Sequence, residues 1–351
     1  MDIKNLFKIA ADKQASDLHL MVGQPPILRI DGNLVTVNSV WSGKEFYSPL
    51  SKTDMSVVIE ALLDKEQKLR LFKEKDLDCS YAISSVRFRV NVSYEKDNLC
   101  VVARVIEEKK PTLDEIGMPP VIKELLEAHQ GLILITGPTG CGKSTTLAAM
   151  INHINSTRSC NIITLEDPIE YVFTSDKSLV AQRQLGSDMV TFASGLKHVL
   201  RQDPNVIMVG EMRDYETISA AITLAETGHL VLATLHTYNA IQTVDRIIDI
   251  FPPHQQNQVK SQLSMLLNAV ISQRLIPRIS GGRIAVREML IRNSAVSNLI
   301  REDKTAQLKS VMEMHSKDGM GTLDNHLKEL YQAGEISLET ARAYLEDPAT
   351  I

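Results

Sequence analysis

Residues 131–150 read GLILITGPTGCGKSTTLAAM, and this stretch decides the fold of the chain around it. An apolar run at 132–135 precedes the pattern G-x-x-x-x-G-K-[ST] at 137–144, and a segment suited to start a helix follows. That order predicts a strand, a phosphate-binding loop and a helix. The glycines let backbone N–H groups converge on phosphate oxygens, and the N-terminus of the helix adds partial positive charge.

The loop predicts a nucleotide site with ATP and Mg²⁺ as cofactors. We expect Lys143 to reach the β- and γ-phosphates and the Ser144 hydroxyl to bind Mg²⁺. A chance glycine turn is the alternative, and the strand and helix patterns on either side argue against it. The expected nucleotide contacts are Gly137, Pro138, Thr139, Gly140, Cys141, Gly142, Lys143, Ser144 and Thr145.

Three further apolar runs, at 161–165, 206–209 and 230–235, each lead into an acidic residue or a histidine. Ligands bind at the carboxyl edge of parallel sheets, so these side chains are expected near the loop. Gly210 stands where many nucleotidases have a metal-binding aspartate, which leaves Glu211 to polarise the attacking water. Mg²⁺ is then expected to be supported by Asp167 or Glu170, although such acids also serve as helix N-caps.

Two histidines flank the run at 230–235, seven residues apart. His236 follows the run and is a candidate sensor of the γ-phosphate, whereas His229 either has a function or simply begins the strand. The period of two sends them to opposite faces or ends of the strand.

The N-terminal part of the chain, residues 1–108, reads as one α+β unit. A linker is predicted at 109–118, and the rest, 119–351, alternates strands with helices and becomes mostly helical from about 290. Apolar residues spaced by three and four after Pro252-Pro253 predict a helix that extends to Val270. Further predicted elements are a helix at 5–14, strands at 17–20, 27–30, 86–92 and 100–106, and a hairpin turn at Gly281-Gly282.

The composition narrows the classes of function. Net charge is −5 with a pI near 6.0, which argues against nucleic acid as a partner. The N-terminus shows no signal-peptide pattern, and no apolar run reaches the ~18 residues of a membrane span. The four cysteines are scattered and predict reduced thiols rather than disulfides or zinc ligands. A cytoplasmic protein without direct membrane insertion is expected.

Cys141 lies within the phosphate-binding loop and next to a helix N-terminus. That position predicts a lowered thiol pKa and fast alkylation that MgATP would block. The alternative is a small packed side chain directed into the sheet.

Taken together, the motifs resemble the type IV pilus retraction ATPases, the PilT family of the secretion-ATPase superfamily. The resemblance covers nearly the whole chain, and the combination of motifs is far more specific than the phosphate-binding loop alone. The matching segments are 15–20, 87–91, 136–146, 165–171, 209–214, 225–230 and 234–237.

This resemblance implies an α/β fold with a RecA-like P-loop motor domain and a smaller PAS-like α+β N-terminal domain. It further implies a homohexameric ring with ATP between subunits, located at the inner face of the cytoplasmic membrane. An inner-membrane pilus platform protein and related pilus ATPases are the implied partners. The family roles implied are Glu211 as catalytic glutamate, Arg89 and Arg104 as arginines acting in trans, and His229 and His236 as the histidine box.

Two departures from the family pattern matter: the first indicates that one arginine acting in trans is absent, and the second, in the tail, leaves an accessory, PilU-like role open. Retraction ATPases often carry an arginine and a glycine-rich turn where this chain has residues 95–98, and Ser297 replaces an arginine of the tail segment. An assembly ATPase is a further alternative, although the chain has no tetracysteine insertion. A P-loop kinase and an ATP-binding scaffold are alternatives from other classes.

Overall fold

The computed structural model describes residues 2–30, 32–41, 46–83, 86–106 and 109–345. Contacts divide the chain into two compact units, Met1–Lys109 and Lys110–Ile351. Of the stretch predicted around the linker, Glu107 and Glu108 lie outside the described residues, as do residues 346–351 of the predicted helical tail. The exact domain bounds remain a prediction.

The first unit is an antiparallel sheet with helices, built from α1 (Ile3–Asp12), β1 (Asp17–Met21), β2 (Ile27–Ile30), β3 (Asn33–Thr36), α2 (Val37–Val40), α3 (Lys52–Leu62), α4 (Lys65–Glu74), β4 (Asp76–Ile83), β5 (Val86–Glu95) and β6 (Asn98–Ile106). Its six strands lie in the order β3-β2-β1-β6-β5-β4. Successive side chains of a strand point to opposite faces of the sheet, so the alternating apolar residues of β5 share one face. Phe88, Val90 and Val92 are accordingly fully buried. Phe7 of α1 packs edge-on against Phe88, with ring centroids 4.8 Å apart, and so joins helix to sheet.

The first helix begins two residues earlier than predicted because Asp2 caps it, accepting a hydrogen bond from the Asn5 backbone N–H. Between β5 and β6 the turn contains Lys96 and Asp97, both with positive φ. This hairpin therefore adopts a left-handed turn without the glycines that the family often has there.

The second unit contains α5 (Val121–Leu125), β7 (Gly131–Thr136), α6 (Lys143–Thr157), β8 (Asn161–Glu166), β9 (Leu179–Gln184), α7 (Phe192–Val199), β10 (Val206–Val209), α8 (Tyr215–Glu226), β11 (Leu230–Leu235), α9 (Ala240–Asp249), α10 (Pro253–Leu266), β12 (Leu267–Pro277), β13 (Arg283–Ile291), α11 (Ser294–Arg301), α12 (Leu308–Met314), α13 (Leu323–Gln332) and α14 (Leu338–Tyr344).

Its seven strands lie in the order β13-β12-β7-β11-β10-β8-β9, and only the β12–β13 pair is antiparallel. Every residue of β7, β10 and β11 is buried, as expected for parallel strands covered by helices on both faces. The predicted α/β fold class, a RecA-like motor domain with a smaller PAS-like domain, is confirmed.

The helix predicted through Val270 is wrong at its C-terminal end. α10 stops at Leu266, and Val270 lies in β12, where it pairs with Leu134 of β7. Residues 266–271 are buried throughout and apolar except for Asn268, and a short buried run of this kind does not distinguish helix from strand. Pairing with the central sheet decides in favour of the strand, which continues through the predicted hairpin into β13.

Residues 110–118, predicted as linker, pack into the second unit. Leu113 and Met118 are buried in its core, and the Arg287 guanidinium donates hydrogen bonds to the carbonyls of Ile116 (2.6 Å) and Gly117 (3.0 Å). Over the residues described, no helix is both long and apolar enough to cross a bilayer.

Candidate nucleotide site

The phosphate-binding loop joins β7 to α6, in the context that the motif requires. Gly140 and Gly142 have φ of +78° and +90°, a region that other residues rarely adopt. Gly137 has φ of +140°, and a Cβ there would collide with the Gln273 carbonyl oxygen and lie 2.7 Å from Cys141 Sγ. These glycines are needed both for backbone conformation and for close packing of the loop on β12.

Lys143 lies across the loop. Its Nζ donates hydrogen bonds to the carbonyl oxygens of Gly137 (2.8 Å) and Pro138 (3.0 Å). Burial lowers the pKa of Lys143, whereas the charges of Glu211 and Glu170 act in the opposite direction. The loop carbonyls hold the ammonium group at the mouth of the site, where both carboxylates favour its charged form.

Strand β12 places two buried polar side chains near the loop, of which one bonds to the loop and the other to strand β7. Gln273, 1% exposed, donates from Nε2 to the Cys141 carbonyl oxygen (2.8 Å) and accepts at Oε1 from the Thr146 hydroxyl (2.9 Å). One residue earlier, the Ser272 hydroxyl bonds to that of Thr136, at the end of β7 (2.7 Å). Gln273 is not among the residues predicted for the site; its one signal in the sequence is a polar residue in a mainly apolar segment.

Glu211 follows β10 and lies at the carboxyl edge of the sheet, as predicted. Its carboxylate accepts from Arg213 Nε (2.9 Å), and His236 Nε2 lies 3.6 Å from its other oxygen. Because β10 pairs with β11, the glutamate after one strand meets the histidine after the next. The Thr234 hydroxyl donates to the Gly210 carbonyl and fixes the backbone just before Glu211.

The acidic segment after β8 is held by the adjacent edge strand β9, which the sequence did not predict. Glu166 is 6% exposed and accepts from Thr164 Oγ1 (2.6 Å) and Gln182 Nε2 (3.0 Å). Burial raises the pKa of Glu166 despite these two bonds. The same Gln182 amide donates to the Tyr171 carbonyl (2.8 Å), and the Tyr171 hydroxyl shares a hydrogen bond with Thr145 in α6 (3.3 Å).

The two predicted metal ligands of this segment, Asp167 and Glu170, are both exposed at the edge of the site. In the described part of the chain, no three His, Cys, Asp or Glu side chains form a cluster that could hold a metal by themselves. Mg²⁺ in nucleotide sites is held mainly by phosphate oxygens and water, with one or two protein ligands. A sparse set made of Ser144 and one carboxylate therefore fits this ion.

A cleft of about 410 Å³ opens beside the first turn of α6. Its walls include Thr145, Leu275 and Ile284, the arginines Arg283 and Arg287, and the segment 114–117. Burial lowers the pKa of Arg287 to about 10, and its bonds to the 116–117 carbonyls fix that segment as one wall. The cleft adjoins the loop in the way a base and ribose pocket adjoins a phosphate site.

His229 does not join this site within one chain. It precedes β11, so it lies at the opposite edge of the sheet, roughly 20 Å from His236 at about 3.3 Å per strand residue. Its Nδ1 donates to the Leu224 carbonyl (2.9 Å), which helps to end α8. The strand separates His229 from the loop of its own chain, and its role as a histidine-box residue stays a prediction.

The two predicted arginines lie in the first unit, on neighbouring strands and directly opposite each other. Arg104 donates from Nε to Asp17 (2.8 Å), and Arg89 lies 3.7 Å from Asp78. Arg104 remains 68% exposed and Arg89 42% exposed, so both guanidinium groups are accessible. The site described above is built by the second unit alone, and a role in trans stays a prediction.

The expectation of a reactive Cys141 is wrong. The side chain is 3% exposed and packs beneath the loop, and burial raises the pKa of the thiol. Lys143 and backbone N–H groups act in the predicted direction, but desolvation of the thiolate outweighs them. The alternative of a small packed side chain is the one observed.

Comparison with known proteins places this geometry in a family. Residues 2–282 match the family model described as Type II/IV secretion system protein. The chain is 44% identical to the type IV pilus retraction ATPase PilT of Pseudomonas aeruginosa, over 99% of both chains. It is 39% identical to the type IV pilus ATPase PilU of the same organism, over 99% of this chain and 89% of that one.

Among solved structures, the pilus retraction motor PilT with bound ADP superposes with a TM-score of 0.92 at 43% identity, over 100% of this chain and 99% of that one. Sequence similarity and fold thus agree over the whole length, including both units and the loop between β7 and α6. The chain belongs to the PilT family of type II/IV secretion system proteins.

Proposed function

We propose that this protein is an ATP-hydrolysing motor that powers type IV pilus retraction and hence twitching motility. The observation that carries the proposal is the meeting of the phosphate-binding loop, Glu211 and His236 at one sheet edge, in a chain 44% identical to a retraction ATPase over its full length. The reaction is ATP plus water to ADP plus phosphate.

In this proposal the triphosphate binds the N–H groups of the loop and the start of α6. Lys143 exchanges its bonds to the loop carbonyls for the β- and γ-phosphates, because a charged acceptor forms the stronger bond. Glu211 takes a proton from the attacking water, and His236, 3.6 Å from that carboxylate, lies where it can respond to the γ-phosphate. Base and ribose occupy the adjacent cleft.

Mg²⁺ is proposed to bind Ser144 and either Asp167 or Glu170, together with phosphate oxygens. The ion supplies charge neutralisation at the β- and γ-phosphates when it is bound. The chain's own contribution is to hold the acidic segment in place, which the amide of Gln182 does through its bond to the Tyr171 carbonyl.

A homohexameric ring is proposed, in which Arg104 and Arg89 reach the ATP of a neighbouring subunit. Two observations support this role. Both guanidinium groups are exposed, and both arginines lie in the unit that does not build the loop. The ring would work in the cytoplasm, at the inner face of the membrane, on a pilus platform protein and alongside related pilus ATPases. A nucleic-acid role receives no support from the net charge of −5.

The test is a deletion strain of the source organism complemented with wild type or Glu211→Gln. Hyperpiliated, non-twitching cells that only wild type restores would support retraction, whereas bald cells would indicate assembly. An accessory role would be indicated if pili and twitching were normal and twitching were lost only under load or when another pilus ATPase was also deleted. Purified protein that turns over ATP without an added acceptor would exclude the kinase.

A further inference from the structure

Gln273 is a buried polar side chain, 1% exposed, that contacts the phosphate-binding loop and belongs to a strand distant in sequence. Both ends of its carboxamide are bonded to the loop region, one to the Cys141 carbonyl and the other to Thr146. A carbonyl oxygen can only accept, so the nitrogen of the carboxamide must face Cys141. This fixes the orientation of the amide without reference to any ligand.

The bond to Cys141 determines the direction of a neighbouring N–H group. In a trans peptide the carbonyl of Cys141 and the N–H of Gly142 point in opposite directions. Since Gln273 holds the carbonyl on its own side, the Gly142 N–H is turned to the other side of the loop. Gly142 has φ of +90° and no side chain to hinder rotation, so without this bond the peptide could turn over.

Resting on the proposed function, we infer that Gln273 is a positioning residue that orients the Cys141–Gly142 peptide for phosphate binding. Its contribution is preorganisation, because the loop already has the binding geometry before a nucleotide arrives. The free-energy cost of ordering the loop on binding is therefore smaller. Gln273 also lines the adjoining cleft, but both of its bonds go to the loop region. Its substitution therefore weakens every ligand that uses the loop, including one that has no base.

The experiment measures dissociation constants of ADP and of inorganic tripolyphosphate for the full chain. Gln273→Met keeps the length and removes both hydrogen bonds, and Ser272→Ala is the matched control, losing one buried bond of the same strand away from the Cys141–Gly142 peptide. We expect Gln273→Met to weaken both ligands by the same factor, about tenfold, the equivalent of one or two net hydrogen bonds. Ser272→Ala should stay within about twofold of wild type, and kcat at saturating ATP should change much less than KM.

A second variant separates orientation from simple packing. Gln273→Glu has the same shape, and its carboxyl can donate to the Cys141 carbonyl only while protonated. Its affinity for tripolyphosphate, relative to wild type at each pH, should therefore recover as the pH is lowered and fall as the pH is raised. Because the ionised carboxylate also repels the polyphosphate, this pH dependence supports the inference only together with the loss of affinity in the uncharged Gln273→Met variant.

Three results would overturn the inference: unchanged affinities in Gln273→Met, a loss for ADP without a loss for tripolyphosphate, or a Gln273→Glu affinity ratio independent of pH. They leave the proposed function intact. Failure of the wild-type protein to bind either ligand is different, because it would overturn the nucleotide site itself.

Discussion

Alanine substitutions at the loop glycines should have graded effects on stability, because the structure gives each glycine a different reason to be there. At Gly140 (φ +78°) an added Cβ meets nothing within 4 Å, so Gly140→Ala bears only backbone strain. At Gly142 (φ +90°) the Cβ would also lie 3.3 Å from Gln273 Nε2. At Gly137 (φ +140°) it would collide with the Gln273 carbonyl oxygen, which belongs to the backbone of β12 and cannot move aside freely.

Each substitution should lower the free energy of unfolding by a different amount. Left-handed backbone costs an alanine about 1–2 kcal/mol, which is the full effect expected for Gly140→Ala. Gly137→Ala combines backbone strain of about 1–3 kcal/mol with displacement of the loop from β12. We therefore expect the free energy of unfolding to fall by more than about 3 kcal/mol. For a unit of this size, 1 kcal/mol corresponds to roughly 2–4 °C in Tm. Gly140→Ala should then lower Tm by about 2–8 °C, and Gly137→Ala by more than about 6–12 °C.

The assay is the apparent Tm of the nucleotide-free protein at one concentration and one scan rate, so that binding and assembly do not contribute. Gly140→Ala is the control for backbone strain alone. The Tm of Gly142→Ala should lie between those of Gly140→Ala and Gly137→Ala. If Gly137→Ala and Gly140→Ala lowered Tm equally, the close approach of the loop to β12 would not be what requires glycine at 137.

Four other substitutions or measurements test the remaining parts of the site. Glu211→Gln should bind ATP almost normally while turnover falls by about 10²–10⁴-fold, since only water activation is lost; robust hydrolysis would move that role to the acidic segment. Arg104→Ala should abolish hydrolysis with the fold intact, and mixing it with Lys143→Ala should restore some activity; no rescue in demonstrated mixed rings would argue against donation in trans. In peptide-mapped maleimide labelling, Cys141 should react more slowly than the two partly exposed thiols, with or without MgATP; fastest labelling at Cys141 would contradict its burial. Burial raises the pKa of Asp17, but bonds from Arg104 and Ser16 outweigh it and hold that pKa below 3.8, so stability from this carboxylate is lost only as pH falls through the lowered value. The stability difference between wild type and Asp17→Asn should shrink over that acid range, and a constant difference in urea titrations would count against the ion pair.

Features set by neighbouring residues could be predicted from the sequence, and features set by distant pairing could not. The loop at 137–144 is a local pattern, and the bounds of β7, β10 and β11 follow from apolar runs that turn residues delimit. Gln273, in contrast, contacts residues about 130 positions earlier in the chain, through a pairing of β12 with β7 that no local pattern specifies. The same pairing ended the helix at Leu266 earlier than its periodicity indicated.

The pKa of the Cys141 thiol likewise could not be predicted from its neighbours in sequence. Its neighbours in sequence, a lysine and a helix N-terminus, both favour the thiolate. Whether they prevail depends on how much water the thiol retains, and the burial of Cys141, which is 3% exposed, removes that water. Tertiary packing thus determined both the support of the loop and the reactivity of its cysteine.

Close packing between β8 and β10 leaves little room for a metal-binding carboxylate at residue 210. A Cβ at Gly210 would lie 3.2 Å from the Leu165 carbonyl oxygen, tighter than ordinary van der Waals contact, and 3.4 Å from Glu166 Cα. An aspartate at 210 would require this backbone to give way by a few tenths of an ångström, directly before Glu211. In the proposed mechanism the tasks are divided instead: Glu211 activates water, and the segment holding Asp167 and Glu170 supports Mg²⁺. That division requires a well-held acidic segment, and the amide of Gln182 in β9 holds it through the Tyr171 carbonyl.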